Sequence, residues 1–344
     1  MAAIEVLIIS QLWGESLEEI LAQLLPQTTS IINLKLNVTS PNAIDFNSAL
    51  NDEQLQQCRN ADIIIADNSF FPQLYGLPKL KWVQGTYAGV DKVAHKMRAL
   101  VKERGKPQFF TTRFTGDYYG TLMAEYCLSY IISMERGFID HRDLQKTKDW
   151  KSMKAVTPKS FRTIDEVTIG IIGLGSIGQV LARKFHSLGA KVIAYNRSPK
   201  DNKELEEIGV SYFSQELSDI LSKSEYLICI LPHTSETVGL LNGKFNNCSK
   251  GTVFINLGRG SVVASTEIIK ALDEGFLSRA ILDVFEDEPL PPSSPLWLHP
   301  NVVITPHISA VTTARHLALL FKKNYDKFIN NEKLDFIIDW ENEY

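Results

Sequence analysis

The sequence predicts an α/β protein of two domains, each a parallel sheet flanked by helices. Three observations predict it. Short apolar runs alternate with helical patterns along almost the whole chain, an alternation that builds parallel sheets with helices on their faces. A length of 344 residues corresponds to about two domains. The run Val167-Thr168-Ile169-Gly170-Ile171-Ile172-Gly173-Leu174-Gly175-Ser176-Ile177-Gly178 reads as an apolar strand entering a G-x-G-x-x-G turn, and that turn lies in the second half of the chain.

In chain order, strands are expected at Ile4–Ser10, Ile31–Leu36, Ile63–Ala66, Lys81–Gln84 and Gln108–Thr111, with helices at Ser16–Leu25 and Glu53–Cys58 between them. A long helical pattern runs from Tyr119 to Arg136. The polar stretch from His141 to Arg162, rich in Lys and Asp, reads as exposed surface crossing towards the glycine turn. Past that turn, Gln179–Leu188 reads as a helix that Gly189 stops, and Lys191–Tyr195 as the next strand. Further strands are expected at Val210–Phe213, Tyr226–Ile230, Val253–Asn256, Ala280–Asp283 and Val302–Thr305. Helices are expected at Gln215–Ser222 and Ser265–Gly275. The segment from Thr312 to Asn330 reads as one amphipathic helix that returns to the first domain. The expected domains are therefore 1–115 with 312–344, and 116–311, with a ligand cleft between them outside the carboxyl ends of the strands.

A G-x-G-x-x-G between strand and helix in a β-α-β unit is the dinucleotide-binding fingerprint, so both domains are read as Rossmann-like. Gly173 allows the tight turn, Gly175 lets the backbone approach a pyrophosphate, and Gly178 lets helix and strand pack closely. The helix start, with Ser176 and Ile177, faces the anion. An NAD site of this kind has an acidic residue about 20 positions on, holding the ribose 2′-OH. Here Asn196-Arg197-Ser198 stands after the second strand instead. The missing carboxylate removes repulsion against a 2′-phosphate, Arg197 supplies a bidentate partner and Ser198 a hydroxyl. NADP is the expected cofactor, with NAD as an alternative.

Composition excludes several classes. A formal net charge of −4 gives no electrostatic case for nucleic acid or an anionic membrane. No apolar run approaches the ~20 residues that span a bilayer. The N-terminus shows no basic region followed by a hydrophobic one, so a cytoplasmic enzyme is the expectation. Cys58, Cys127, Cys229 and Cys248 have no metal-ligand spacing and read as core residues in a reducing compartment. No metal is expected.

Three polar residues stand at or just beyond strand ends: Arg259 in Leu257-Gly258-Arg259-Gly260, Glu288 in Glu286-Asp287-Glu288-Pro289, and His307 in Thr305-Pro306-His307. With the Gly89-Val90-Asp91 turn, Ala124-Glu125, Leu231-Pro232-His233-Thr234-Ser235-Glu236-Thr237 and Leu282-Asp283-Val284-Phe285, their joint order resembles the D-isomer-specific 2-hydroxyacid dehydrogenase family. The flavour nearest to it is the glyoxylate/hydroxypyruvate reductase branch, through Ala310-Val311-Thr312 and Asp339-Trp340-Glu341.

The resemblance implies reduction of a small 2-oxo acid to a D-2-hydroxy acid. His307 would be the general acid, since an imidazole titrates near the working pH. Glu288 would orient it and raise its pKa. Arg259 would bind the substrate carboxylate with its planar fork, and backbone N–H groups around Ala88 and Gly89 would hold the other end. Cofactor contacts are implied at Gly173, Gly175, Ser176, Ile177, Gly178, Asn196, Arg197, Ser198, Pro232, His233, Thr237 and Asp283. His233 is expected to shape its loop, and Asp283 to contact the cofactor rather than merely end a strand. The family forms dimers, and a homodimer through the segment after the long helix is expected. The rivals are a formate, phosphite or phosphoglycerate dehydrogenase on the same fold, and a dinucleotide-sensing corepressor, because a fold alone does not settle function.

Overall fold

Val6, Leu7, Ile8 and Ile9 are all buried, the signature of a strand covered on both faces of a parallel sheet. They form β1 (Glu5–Ile9) at the heart of the first of two compact units, Met1–Thr115 with Val311–Tyr344, and Gly116–Ala310. The computed structural model describes residues 4–36, 45 and 47–342. Met1 to Ala3, at the N-terminus read above, and Glu343-Tyr344 lie outside the described residues.

In the first unit, β1 is followed by α1 (Gly14–Leu24), β2 (Ser30–Asn33), α2 (Asp52–Cys58), β3 (Ile63–Ala66), β4 (Trp82–Gly85), α3 (Asp91–Arg104) and β5 (Phe110–Thr112). The sheet is parallel in the order β2-β1-β3-β4-β5. At its switch point, between β1 and β3, the buried Asp67 carboxylate accepts from Gln11 N–H at 2.7 Å and from the Thr86 and Ser10 hydroxyls at 2.8 and 3.1 Å. Three strand ends are thereby tied together.

The second unit runs α4 (Asp117–Arg136), α5 (Phe138–Leu144), α6 (Trp150–Ala155), β6 (Thr168–Ile172), α7 (Ser176–Ser187), β7 (Lys191–Tyr195), α8 (Asn202–Glu207), β8 (Val210–Ser214), α9 (Leu217–Leu221), β9 (Tyr226–Cys229), β10 (Thr252–Asn256), α10 (Ser265–Asp273), β11 (Leu277–Leu282) and β12 (Val302–Ile304). Its seven parallel strands are ordered β12-β11-β10-β9-β6-β7-β8. The order reverses between β6 and β9. One face is covered by Ala124, Cys127 and Ile131 of α4 and Leu181 and Phe185 of α7. The other is covered by Ile220 and Leu221 of α9 and Ile268 and Leu272 of α10.

The chain then returns to the first unit as α11 (Ala314–Ile329), started by the Thr313 side chain accepting from His316 N–H. The Phe321 ring stacks on Trp82 of β4 at 4.8 Å and 8°. The Trp82 indole donates to Thr112 Oγ1 (2.8 Å), whose hydroxyl donates on to Gln84 Oε1 (2.9 Å).

The stretch from His141 to Arg162 is largely exposed, but it is not plain surface chain: it carries the end of α5 and all of α6. These helices are too short and polar for an apolar stripe to betray them. α3, α8 and a 3-10 turn at Asn68–Leu74 are further elements that the pattern did not indicate. All four cysteines are buried free thiols. No described helix is long and apolar enough to cross a membrane, and the described residues hold no His/Cys/Asp/Glu group able to bind a metal ion.

Two measurements check this packing. Phe321→Ala removes a fully buried ring from the α11–sheet contact and is expected to cost about 3–5 kcal/mol in urea denaturation. Burial pushes the Asp67 carboxyl up to about 6, against the pull of its three hydrogen bonds. The native state therefore holds that proton more tightly than the unfolded chain, and the Asp67 contribution to stability grows as pH falls through the native value. From about pH 7 to about pH 5 the wild type should gain about 1 kcal/mol relative to Asp67→Asn.

Candidate active site

All six candidate site segments of the second unit leave carboxyl ends of its strands: the glycine turn after β6, Asn196-Arg197-Ser198 after β7, the Leu231–Thr237 loop after β9, Arg259 after β10, Asp283 and Glu288 after β11, and His307 after β12. In open parallel sheets this edge, at the point where strand order reverses, is where ligands bind.

The glycines of the β6–α7 turn divide into two kinds. Gly173 has φ +104°, a conformation that side chains disfavour, and a Cβ at Gly178 would lie 2.0 Å from the Gly173 carbonyl oxygen. Fold alone demands both. Gly175 has φ −78°, and a Cβ there would meet nothing within 4 Å. Neither backbone nor packing calls for glycine at that position. Gly175 is also the N-cap of α7 and brings no side-chain cap to the helix start, where the first N–H groups favour an anion. Ser176 and Ile177 form the first turn.

Asn196 braces the next segment. Its Oδ1 accepts from Leu174 N–H (3.2 Å) and its Nδ2 donates to the Ser198 carbonyl (3.0 Å). No carboxylate occupies the end of β7. The Arg197 carbonyl is held by Gln215 Nε2 at 2.6 Å, and its guanidinium is ion-paired with Glu236. In the loop after β9 the Thr237 hydroxyl donates to the Pro232 carbonyl (2.6 Å) and accepts from Thr234 N–H (2.9 Å). Thr237 thus closes its own loop. His233 Nδ1 pairs with Ser261 Oγ at 2.7 Å, linking this loop to the one that follows Arg259.

Arg259 sits between two glycines for a packing reason. A Cβ at Gly258 would lie 2.4 Å from the Leu231 carbonyl oxygen, and one at Gly260 would lie 1.9 Å from the Phe285 carbonyl carbon. The backbone on either side of Arg259 is pressed against neighbouring loops, and Asn256 ties the turn by accepting from Gly258 N–H (3.2 Å) and donating to the Arg259 carbonyl (3.1 Å).

His307 Nδ1 lies 2.7 Å from Glu288 Oε2, while Glu288 Oε1 accepts from Phe285 N–H at 3.0 Å. Burial draws the Glu288 carboxyl upward. The His307 hydrogen bond, the Phe285 N–H and the charges of His307 and Arg259 outweigh it and hold that carboxyl below its ordinary range. The adjacent Glu286 points elsewhere, accepting from Ser265 N–H.

The residue holding His307 in place is Asp283, and nothing in the sequence pattern assigns it that role. It is fully buried. Its Oδ1 accepts from the Thr305 hydroxyl (2.5 Å) and Ile308 N–H (2.8 Å), its Oδ2 from Ser309 N–H (2.8 Å), and its carbonyl from His307 N–H (3.0 Å). The loop bent by these bonds holds His307 at φ +55°, a strained conformation for a non-glycine residue that persists only where its surroundings impose it. Tyr126 of α4 completes the chain, with its hydroxyl 2.7 Å from Thr305 Oγ1. Burial keeps that phenol far above its ordinary range, hence a donor.

In the first unit, the turn after β4 has every carbonyl engaged. Tyr87 O accepts from Phe114 N–H (3.2 Å) and Asn68 Nδ2 (3.3 Å), Ala88 O from Arg113 (3.5 Å), and Gly89 O from Asn68 Nδ2 (2.7 Å). Among the described residues no acceptor takes up the N–H groups of Ala88 and Gly89. The local sequence gives no sign of the role of Asn68, because that role is set by a turn about 20 residues away.

A dinucleotide-type sheet whose strand ends carry an arginine and a carboxylate–histidine pair has the layout of a nicotinamide-dependent dehydrogenase. Comparison with known proteins makes the class specific. Residues 128–309 match the sequence model described as "D-isomer specific 2-hydroxyacid dehydrogenase, NAD binding domain". Glyoxylate/hydroxypyruvate reductase A of Serratia proteamaculans is 35% identical over 237 residues, 68% of this chain and 72% of that protein. A D-isomer specific 2-hydroxyacid dehydrogenase family protein from Aeromonas salmonicida superposes with TM-score 0.77 at 30% identity, covering 98% of this chain and 99% of its own. An NADPH-dependent glyoxylate/hydroxypyruvate reductase from Sinorhizobium meliloti, solved with NADP and sulfate, gives TM-score 0.75 at 29% identity, covering 99% and 100%. The chain belongs to the D-isomer-specific 2-hydroxyacid dehydrogenase family and is an NAD(P)-dependent oxidoreductase.

The two kinds of glycine are separable by substitution. Gly178→Ala drives a methyl into backbone and should cost about 1–3 kcal/mol of stability in urea denaturation. Gly175→Ala should cost under about 1 kcal/mol, yet weaken dinucleotide binding at least about tenfold in a calorimetric titration, because the methyl occupies the space a pyrophosphate needs.

Proposed function

We propose that this chain is an NADPH-dependent reductase of small 2-oxo acids such as glyoxylate and hydroxypyruvate, forming the D-2-hydroxy acid. The observation that carries the reading is the His307–Glu288 pair at 2.7 Å beside Arg259 at the strand ends of a dinucleotide-type sheet. The reductase of Serratia proteamaculans and the NADP-bound one of Sinorhizobium meliloti support the substrate class and the cofactor.

The residues present fit a dinucleotide. The space at Gly175 and the uncapped start of α7 suit a pyrophosphate, and the absence of a carboxylate at the end of β7, with Arg197 and Ser198 next to it, suits a 2′-phosphate. The cofactor, when bound, supplies the hydride that reduces the carbonyl carbon. The chain supplies the proton. Glu288 takes Nδ1 of His307, which leaves Nε2 to pass a proton to the carbonyl oxygen as it gains negative charge. The Glu288 carboxylate, ionised throughout the neutral range, offsets the positive charge of the imidazolium before transfer. The Arg259 fork holds the substrate carboxylate and draws electron density from the adjacent carbonyl. The N–H groups of Ala88 and Gly89, which no acceptor among the described residues takes up, suit a carboxylate. Pro232, His233 and Thr237 serve as the braced wall of the cofactor site. Asp283 contributes chiefly through the loop it holds.

A homodimer is the assembly we propose. Phe138, Trp150 and Phe161, on the segment after α4, are 54%, 73% and 52% exposed, more apolar surface than solvent favours there. The buried free thiols support a reducing compartment.

The test follows NADPH absorbance with a panel of 2-oxo acids. Turnover of glyoxylate or hydroxypyruvate is expected, and His307→Ala should reduce kcat at least ~100-fold while dinucleotide affinity stays within a few-fold. Tight NADPH binding without turnover of any acid would mark a sensing protein instead. Turnover within a few-fold of wild type in His307→Ala would remove His307 as the acid.

A further inference from the structure

The carboxylate that is missing after β7 is present nearby, on another loop. Glu236 lies on the turn after β9, and its Oε2 is ion-paired with Nη1 of Arg197. Both partners stand on braced loops. The Arg197 carbonyl is pinned by Gln215, and the adjoining Asn196 bridges Leu174 and Ser198. The Glu236 turn is closed from within by the Thr237 hydroxyl, which donates to the Pro232 carbonyl at 2.6 Å and receives Thr234 N–H at 2.9 Å. The two side chains remain 53% and 60% exposed, so the pair is open to exchange with a ligand.

We propose that Glu236 is a cofactor-discriminating residue: it competes with the 2′-phosphate of NADP for the Arg197 guanidinium and so narrows the preference over NAD. The inference rests on the NADP reading given above. A 2′-phosphate carries nearly two negative charges and calls on the same guanidinium that Glu236 pairs with at Nη1. Its binding must break the ion pair, and afterwards it stands beside a carboxylate that has lost its cation. NAD brings only a neutral 2′-hydroxyl, which donates to a carboxylate in the manner of the acidic residue of an NAD-type site. Glu236 therefore works against NADP twice and against NAD not at all. Arg197 sets the direction of the preference, and Glu236 sets its size.

The test is a calorimetric titration of NADP+ and, separately, NAD+ into the full-length wild type, Glu236→Gln and Arg197→Gln, with a thermal melt of each to confirm folding. An exposed pair of this kind is worth a few-fold in affinity, so Glu236→Gln should bind NADP+ about two- to fivefold more tightly, with NAD+ unchanged or weaker. NADP+ affinity that is unchanged or reduced in Glu236→Gln overturns the proposal, the latter because Glu236 would then be orienting Arg197 for the phosphate. If the wild type prefers NADP+, Arg197→Gln abolishes that preference and Glu236→Gln changes nothing, the role of Glu236 fails alone. If the wild type shows no preference and Arg197→Gln changes neither affinity, the NADP reading falls with it.

Discussion

The Asp283 carboxylate is the constraint on which the arrangement of the candidate site depends. It is fully buried, and it is tolerable there because the Thr305 hydroxyl and the N–H groups of Ile308 and Ser309 converge on it. A buried acceptor left unpaired costs about 1–3 kcal/mol, more when charged, so the loop is compelled to wrap around the carboxylate. The wrapping is what turns the backbone at His307 to φ +55° and brings its ring to Glu288. Thr305, at the end of β12, belongs to two hydrogen bonds at once: it donates to Asp283 and receives the Tyr126 hydroxyl. The long helix α4 therefore contributes to the geometry of a residue far from it in sequence.

The same economy runs through the rest of the site. Three loops at the carboxyl edge of the sheet are braced by polar side chains outside the Arg259, Glu288 and His307 set: Asn256 under Arg259, Ser261 against His233, Asn196 between the glycine turn and Arg197. Reactive groups need fixed positions, and loops have no ladder to fix them, so side-chain to backbone bonds take over that work. The first unit repeats the device with Asp67 at its switch point and Asn68 beneath the Ala88–Gly89 turn.

Much of this was legible in the sequence. The alternation of apolar runs and helical patterns gave the parallel sheets, and β3 and β7 fall where the pattern puts them, because buried parallel strands read as unbroken apolar runs. The residues at the strand ends were legible by position, and Arg259, Glu288 and His307 do stand on adjoining loops. What escaped depends on contacts between distant segments. The short helices α5 and α6 have no apolar stripe to reveal them. The glycines beside Arg259 read as a flexible turn, but their reason is the close approach of Leu231 and Phe285. Asp283 read as a cofactor ligand or a strand end, since no local pattern shows where a carboxylate finds three donors 22 to 26 residues away. Asn196 showed that an acid was missing; only the folded chain shows Glu236 standing near the same place.

The measurement that tests the Asp283 account most directly is the turnover of Thr305→Val beside that of Thr305→Ser. Valine keeps the volume of threonine but removes the hydroxyl that donates to Asp283 and receives Tyr126; serine keeps the hydroxyl. The account predicts that kcat falls at least about tenfold in Thr305→Val with dinucleotide affinity little changed, and that Thr305→Ser remains within a few-fold of wild type. Wild-type turnover in Thr305→Val would show that His307 holds its position without the clasp, and would contradict the account.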